Sequence, residues 1–142
     1  MTIAAILKTK GPDVLAVGTD LPVREAVAML AEKRIGALPV VSDGAVVGIM
    51  SERDVIYCLK KEGAAALDRT VGELMTSPAL TVEPDKEVMG ALSLMTGRRI
   101  RHLPVVEGGR IIGIVSIGDL VKYRLDKIEQ EAAAMLDYIQ SV

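Results

Sequence analysis

Apolar side chains recur every three or four residues in two stretches of this chain, and that spacing predicts two amphipathic helices. Each stretch follows a short apolar segment, residues 14–17 or 79–82, and a turn that contains Asp and Pro. The pattern therefore predicts the order strand, turn, helix in two places. The apolar stripes are Val23, Ala26, Val27 and Leu30 in the first helix and Val88, Ala91, Leu92 and Met95 in the second.

Two pairs of apolar runs follow these helices, and each pair predicts a β-hairpin. The intervening Asp43-Gly44 and Gly108-Gly109 tolerate the positive φ angles that tight hairpin turns require. Because the runs are continuously apolar, we expect both faces of each sheet to be covered. The runs are residues 38–41, 45–50, 103–106 and 110–115, and further helices are predicted to begin near Ser51 and Ser116.

The two halves of the chain are copies of each other. A shift of 65 residues aligns residues 15–54 with 80–119 without a gap, and 16 of the 40 pairs are identical. A weaker match, shifted by 68, aligns residues 2–7 with 70–75, so three extra residues lie near Lys10. Such repeats stack because neither buries its apolar face alone, which also predicts two related clefts between them. The expected units are residues 1–69, with an N-terminal helix, and residues 70–142, with a C-terminal helix.

The last helix is predicted to run from Asp119 to about Ile139 with a seam of apolar residues at heptad spacing. Such a seam fits a partner helix, either in this chain or in a second copy, and ordinary packing on its own repeat is the alternative. The seam consists of Val121, Leu125, Ile128, Ala132, Met135 and Ile139.

Composition narrows the possible functions. Half of the 142 residues are hydrophobic and the mean hydropathy is +0.35, yet no apolar run approaches the roughly 18 residues of a membrane span. The net charge of −2 and the absence of Phe and Trp argue against nucleic-acid binding. The single cysteine, Cys58, excludes an intramolecular disulfide and favours a reducing cytoplasm.

Both copies contain the pattern Gly-apolar-apolar-Ser-x-x-Asp at a predicted strand-to-helix turn. The pairs Ser51/Asp54 and Ser116/Asp119 could hold a ribose, because a carboxylate accepts two hydrogen bonds from a cis-diol and the Ser hydroxyl adds a third. A helix N-terminus also favours an anion. The alternative is structural, since Ser followed three residues later by an acid resembles a helix-capping box.

The whole arrangement resembles a tandem pair of CBS domains, also called a Bateman module, in a stand-alone protein. The resemblance covers residues 2 to about 125 and rests on two Leu-Pro-Val-Val strands, two Ser-x-x-Asp turns and the spacing of 65. It implies an α+β fold in which two β-α-β-β-α repeats pack about a pseudo-twofold axis, with an extended C-terminal helix. It also implies clefts that bind AMP, ADP, ATP or NAD, and frequent homodimers.

In CBS pairs, the strand of one repeat typically reaches the nucleotide whose ribose is held by the other repeat. This resemblance implies that Arg101 and His102 face Ser51/Asp54, whereas only Gly36 and Ala37 face Ser116/Asp119, which leaves a roomier and less cationic second cleft. The cluster from Arg98 to His102 could clamp phosphate, although Arg98 and Arg99 also suit a helix end. The expected ligand-binding residues are Thr19, Ile35, Gly36, Ala37, Ser51, Arg53, Asp54, Arg99, Ile100, Arg101, His102, Ser116 and Asp119.

The sequence thus predicts a cytoplasmic regulatory module that binds adenosine nucleotides and is not an enzyme. We expect no catalytic cofactor and no metal, because one His and one Cys cannot form a structural zinc site. The expected partners are a second copy and an unidentified regulated protein, with no membrane. Two alternatives remain: a dimerisation scaffold with vestigial clefts, or a module that binds an S-adenosyl ligand.

Overall fold

The computed structural model describes residues 1–141, and its elements follow the predicted order twice. Within these residues no helix is both long enough and apolar enough to cross a membrane. A short 3₁₀ helix, Gly63–Asp68, connects the two halves. The elements are α1 (Ile3–Lys10), β1 (Val17–Gly18), α2 (Val23–Lys33), β2 (Ala37–Ser42), β3 (Ala45–Ser51), α3 (Glu52–Glu62), α4 (Val71–Leu74), α5 (Val88–Arg98), β4 (His102–Glu107), β5 (Arg110–Ser116) and α6 (Ile117–Ser141).

Both predicted hairpins are confirmed, and their registers are equivalent. Strands β2 and β3 pair antiparallel with Leu38 opposite Met50, and β4 and β5 pair with Leu103 opposite Val115. Each hairpin also carries a register shift at the same place, between the two valines of Leu-Pro-Val-Val. Strands β3 and β5 contact each other, so the two repeats meet along the strands that lead into the Ser-x-x-Asp turns.

The first strand of each repeat is shorter than predicted. Strand β1 comprises only two residues and pairs parallel with β2, while Val14 and Leu15 line a cleft instead. In the second repeat the predicted strand at 79–82 is reduced to one parallel bridge between Val82 and Val105. Ala79 and Leu80, which precede this bridge, line a cleft instead of pairing.

Two hydrophobic cores form, and short helices cross between them. Ile3 and Ile6 of α1 are buried in the core of the second repeat, together with residues of α5, β4 and β5. Val71 of α4 is buried in the core of the first repeat. Packing therefore exchanges the N-terminal segments of the two units, while the boundary after residue 69 stays a prediction. Residue 142 lies outside the described residues.

Glycines allow these exchanged helices to approach the strands closely. A Cβ on Gly113 of β5 would lie 2.6 Å from Leu7 Cδ2, and a Cβ on Gly48 of β3 would lie 2.9 Å from the carbonyl oxygen of Thr76. A larger residue at either position would force the neighbour to move. The ends of α1 and α4 are thereby held beside the two Ser-x-x-Asp turns.

Helix α6 begins at Ile117, as the predicted start near Ser116 requires, and extends away from the cores. Leu120 is its one fully buried residue in the described part of the helix. The predicted seam is largely exposed, with Leu125 at 54% and Ile139 at 62% of full exposure. Within residues 1–141, the seam therefore lacks the partner that its heptad spacing predicts.

Candidate functional site

Both Ser-x-x-Asp turns cap the helices that follow them. The Ser51 N–H donates to Asp54 Oδ2 at 2.8 Å, and the Asp54 N–H donates to Ser51 Oγ at 3.3 Å. The same reciprocal bonds, at 2.8 and 3.1 Å, join Ser116 and Asp119. The capping interpretation is thus confirmed. It leaves a ribose role open, because a carboxylate has about four acceptor sites.

The two carboxylates differ in the contact that each makes beyond its capping serine. Thr76 Oγ1 donates to Asp54 Oδ1 at 3.0 Å, whereas Lys10 Nζ donates to Asp119 Oδ2 at 2.8 Å. Partial burial raises the pKa of Asp119, but the hydrogen bonds from Lys10 and Ser116 outweigh it and hold that pKa below its ordinary value. The first carboxylate therefore faces a neutral hydroxyl and the second an ammonium group.

The first cleft is a cavity of about 320 Å³ between the repeats. Ser51 and Asp54 lie on one side, and Arg101 and His102 from the start of β4 lie on the other, as the cross-repeat arrangement requires. Glu52 places a negative charge among the arginines. The lining residues also include Gly36, Ala37, Ile49, Arg53, Thr76, Pro78, Ala79, Leu80, Arg98, Arg99 and Ile100.

The second cleft is larger, about 710 Å³, and contains Ser116 and Asp119. The expectation that only Gly36 and Ala37 would reach it from the other repeat is wrong, because the ends of α1 and α2 bring three cations into its wall. The expectation of a roomier second cleft is confirmed. The remaining lining residues are Lys10, Asp13, Val14, Leu15, Lys33, Arg34, Ile35, His102 and Ile114.

Arg34 and Arg99 occupy equivalent places in the walls of the two clefts. Each follows a helix, α2 or α5, in the left-handed conformation, with φ of 53° and 55°. This conformation ends the helix and turns the chain into the strand that borders the cleft. Arg34 was absent from the predicted site, although its alignment with Arg99 at a shift of 65 was a signal for it.

His102 lines both clefts. Burial lowers its pKa, and the positive charges of Arg101 and Lys10 add to the effect, while Glu52 and Asp119 oppose it. Its imidazole lies close to Gly36, and no larger residue would fit there without displacing a side chain. His102 therefore forms a wall that the two clefts share.

Thr19 lines neither cleft. Its carbonyl oxygen accepts a hydrogen bond from the Gly72 N–H at 2.9 Å, and its side chain packs close to Gly72. Thr19 thus ties α4 to the first repeat. The other twelve predicted residues all line one cleft or the other, or both. Among residues 1–141, no three His, Cys, Asp or Glu side chains are grouped as a metal site.

Lys10 and Thr76 are the main residues that sequence reasoning missed. Lys10 is the last residue of α1, and Thr76 follows α4. Both of these short helices pack on the opposite repeat. The change in alignment shift near Lys10 was the one signal in the sequence that the two copies differ here.

Comparison with known proteins finds two domains of one family in tandem in this chain. A model of the CBS domain matches residues 6–61 and 71–126. The mitochondrial CBS domain-containing protein CBSX3 of Arabidopsis thaliana is 36% identical over 98% of this chain and 72% of its own length. The crystal structure of the CBS-domain protein ATU1752 from Agrobacterium tumefaciens is 40% identical, with a TM-score of 0.83, and covers 87% of this chain and 99% of that one.

Two further structures with the same fold contain adenosine compounds. CBSX2 in complex with AMP has a TM-score of 0.78 at 26% identity, covering 88% of this chain and 97% of its own. The CBS domain pair of MJ0100, in complex with 5′-methylthioadenosine and S-adenosyl-L-methionine, has a TM-score of 0.79 at 26% identity, covering 89% and 98%. Both ligand sets contain an adenosine group, so these two related proteins have this ligand chemistry in common.

Proposed function

The chain belongs to the CBS domain family, and on this premise we propose that it is a non-catalytic regulatory module that binds adenosine nucleotides between its two repeats. Binding alters how the repeats, or two copies of the chain, pack together, and so changes the activity of a regulated partner. The proposed location is the cytoplasm.

The first cleft carries this proposal. Asp54 and Ser51 can accept the ribose diol, while Arg101 and the neighbouring arginines lie across the cavity, where phosphates would extend. A volume of about 320 Å³ lies at the lower end of the range for small-molecule sites. Arginine guanidinium groups suit bidentate contact with phosphate. The second cleft also combines a cavity, a diol acceptor and cations, but there Lys10 already bonds the carboxylate.

The cations favour phosphorylated ligands over an S-adenosyl compound. The S-adenosyl group carries a positive sulfonium, which Arg53, Arg99 and Arg101 would repel. AMP, ADP, ATP and the adenosine half of NAD all present a phosphate beside the ribose, so they fit the first cleft better. Within this class we propose AMP for the first cleft because of its small volume.

We also propose that two copies of the chain associate through α6. The seam from Val121 to Ile139 exposes large apolar side chains at a spacing that suits a second helix. Packing of α6 on its own repeat does not explain the seam beyond Leu125, because the seam residues in that part of the helix are exposed. A homodimer would bury them and could transmit ligand binding from one copy to the other.

Calorimetric titration of AMP into Asp54→Ala tests the ribose assignment. Loss of an acceptor for two diol hydrogen bonds should weaken binding by about tenfold to a hundredfold. Asp54→Asn keeps one oxygen for the helix cap and should also bind weakly, which separates ligand contact from capping. Asp68→Ala is the matched control, since Asp68 is exposed and lines neither cleft. Unchanged AMP affinity in both Asp54 variants would refute the assignment.

A further inference from the structure

Lys10 joins α1 to the second cleft through two short contacts. Its Nζ donates to Asp119 Oδ2 at 2.8 Å and to the Ile114 carbonyl oxygen at 2.8 Å. The side chains of Lys10 and Asp119 are 37% and 27% exposed. The ammonium group therefore lies inside the cleft, on the carboxylate that a ribose diol would need.

In the described part of the chain, no cation bonds the Asp54 carboxylate of the first cleft, because the exchanged segments end differently. Helix α4 stops at Leu74, and Thr76 then bridges to Ile49, which brings a hydroxyl to Asp54. Helix α1 continues to Lys10 before Gly11 ends it with a φ of 94°. The longer α1 thus gives the second carboxylate a charged partner.

The contact can break without unfolding α1. Ile3 and Ile6 anchor that helix in the core and are at most 4% exposed. A partly exposed ion pair, by contrast, contributes little to stability. Lys10 can therefore leave Asp119 while the helix that carries it stays in place.

We propose that Lys10 is the specificity-determining residue of the second cleft, an inference that rests on the proposed nucleotide-binding function. A ribose diol that donates to both oxygens of Asp119 displaces the Lys10 ammonium from Oδ2, because Oδ2 already accepts from the Ser116 N–H as well. An uncharged nucleoside gives the displaced ammonium no new partner. A nucleotide offers it a phosphate, beside Lys33 and Arg34 in the same wall. The second cleft thus selects phosphorylated ligands and rejects free nucleosides.

The test compares adenosine with ADP in a background where the first cleft is disabled. Asp54→Ala and the double variant Asp54→Ala/Lys10→Met are titrated with each ligand by calorimetry. Removing Lys10 should strengthen adenosine binding by up to about fivefold, since the competing ion pair is lost. It should weaken ADP binding by about fivefold or more, since a charged phosphate contact is lost. These opposite changes distinguish a role in specificity from a loss of structure.

Lys8→Met in the same background is the matched control, because Lys8 is exposed on α1 and lines neither cleft. Melting curves check that each variant folds. The inference is overturned if Lys10→Met changes adenosine and ADP affinity in the same direction, or leaves both unchanged, while the wild type binds nucleotide. If neither ligand binds the wild type or any variant, the proposed function itself fails and the inference falls with it.

Discussion

Gly36 and His102 meet at the point where the two clefts adjoin. A Cβ on Gly36 would lie 3.0 Å from His102 Cε1 and 2.9 Å from Glu52 Oε1. Each of these two residues lines the first cleft and the second. The glycine in the first repeat therefore makes room for the histidine of the second, and a side chain placed there would disturb both clefts.

Gly36→Arg should weaken AMP binding by about tenfold, although it adds a positive charge, because the side chain displaces His102 and Glu52 from the cleft walls. Titration calorimetry measures the change. Gly97→Arg is the control, since a Cβ on Gly97 meets nothing within 4 Å. Tighter AMP binding by Gly36→Arg would show that the added positive charge outweighs the displacement of His102 and Glu52.

Arg101→Ala and Arg34→Ala should affect different clefts, because Arg101 lines the first and Arg34 the second. Each loss of a charged phosphate contact should weaken one AMP site by roughly tenfold or more and leave the other unchanged. Two-site calorimetric titrations of both variants separate the effects. Equal weakening of both sites by either variant would contradict the assignment of these arginines to separate clefts.

Protonation of His102 should lower stability. Burial, with help from Arg101, lowers the His102 pKa in the folded chain, so the unfolded chain binds more protons below its ordinary pKa of about 6.5. The free energy of unfolding should be unaffected by this group above that pH and should fall as the pH drops from about 6.5 through the folded pKa. Urea unfolding between about pH 7.5 and about pH 5.5 measures how the free energy of unfolding changes with pH.

His102→Gln provides the control for this change with pH, because His102 is the one histidine in the chain. The variant should lose the pH dependence in that range. A wild-type free energy of unfolding that rises as the pH falls would contradict the direction of the pKa shift.

Gly48→Ala should destabilise the fold by about 1–3 kcal/mol, whereas Gly113→Ala should cost less than about 1 kcal/mol. At Gly48 the new Cβ meets the Thr76 backbone, which cannot move without breaking its bridge to Ile49. At Gly113 it meets the end of the Leu7 side chain, which can rotate. Urea unfolding of the two variants measures their free energies of unfolding. Equal decreases would argue against contact with the Thr76 backbone as the cause.

Leu125→Glu should shift the chain towards monomer if α6 forms the proposed dimer. Leu125 lies in the exposed apolar seam, where a charge would be buried against the second copy. Gln130→Glu, on a different face of α6, should leave the mass in sedimentation unchanged. A wild-type chain that is monomeric at high micromolar concentration would refute the dimer.

The hairpins and helices could be predicted because their signals are local. Apolar runs around Asp43-Gly44 and Gly108-Gly109 determine strand pairing, and helical spacing determines the buried faces of α2 and α5. The first strands were predicted too long, because an apolar segment shows that burial is favoured but not whether a neighbouring strand continues. Thr19 was placed in the site for a related reason, since position in a turn does not reveal which way the turn faces.

The duplication, most of the secondary structure and the residue types of two related clefts follow from the order of the amino acids alone. The difference in electrostatics between the clefts arises only when the chain folds, because the partners of Asp54 and Asp119 come from segments that pack on the opposite repeat. Lys10 lies 109 residues from Asp119 along the chain. No local pattern encodes that pairing. It results from burying Ile3 and Ile6 in the second core, which carries the end of α1 to the second cleft and places a cation on its carboxylate.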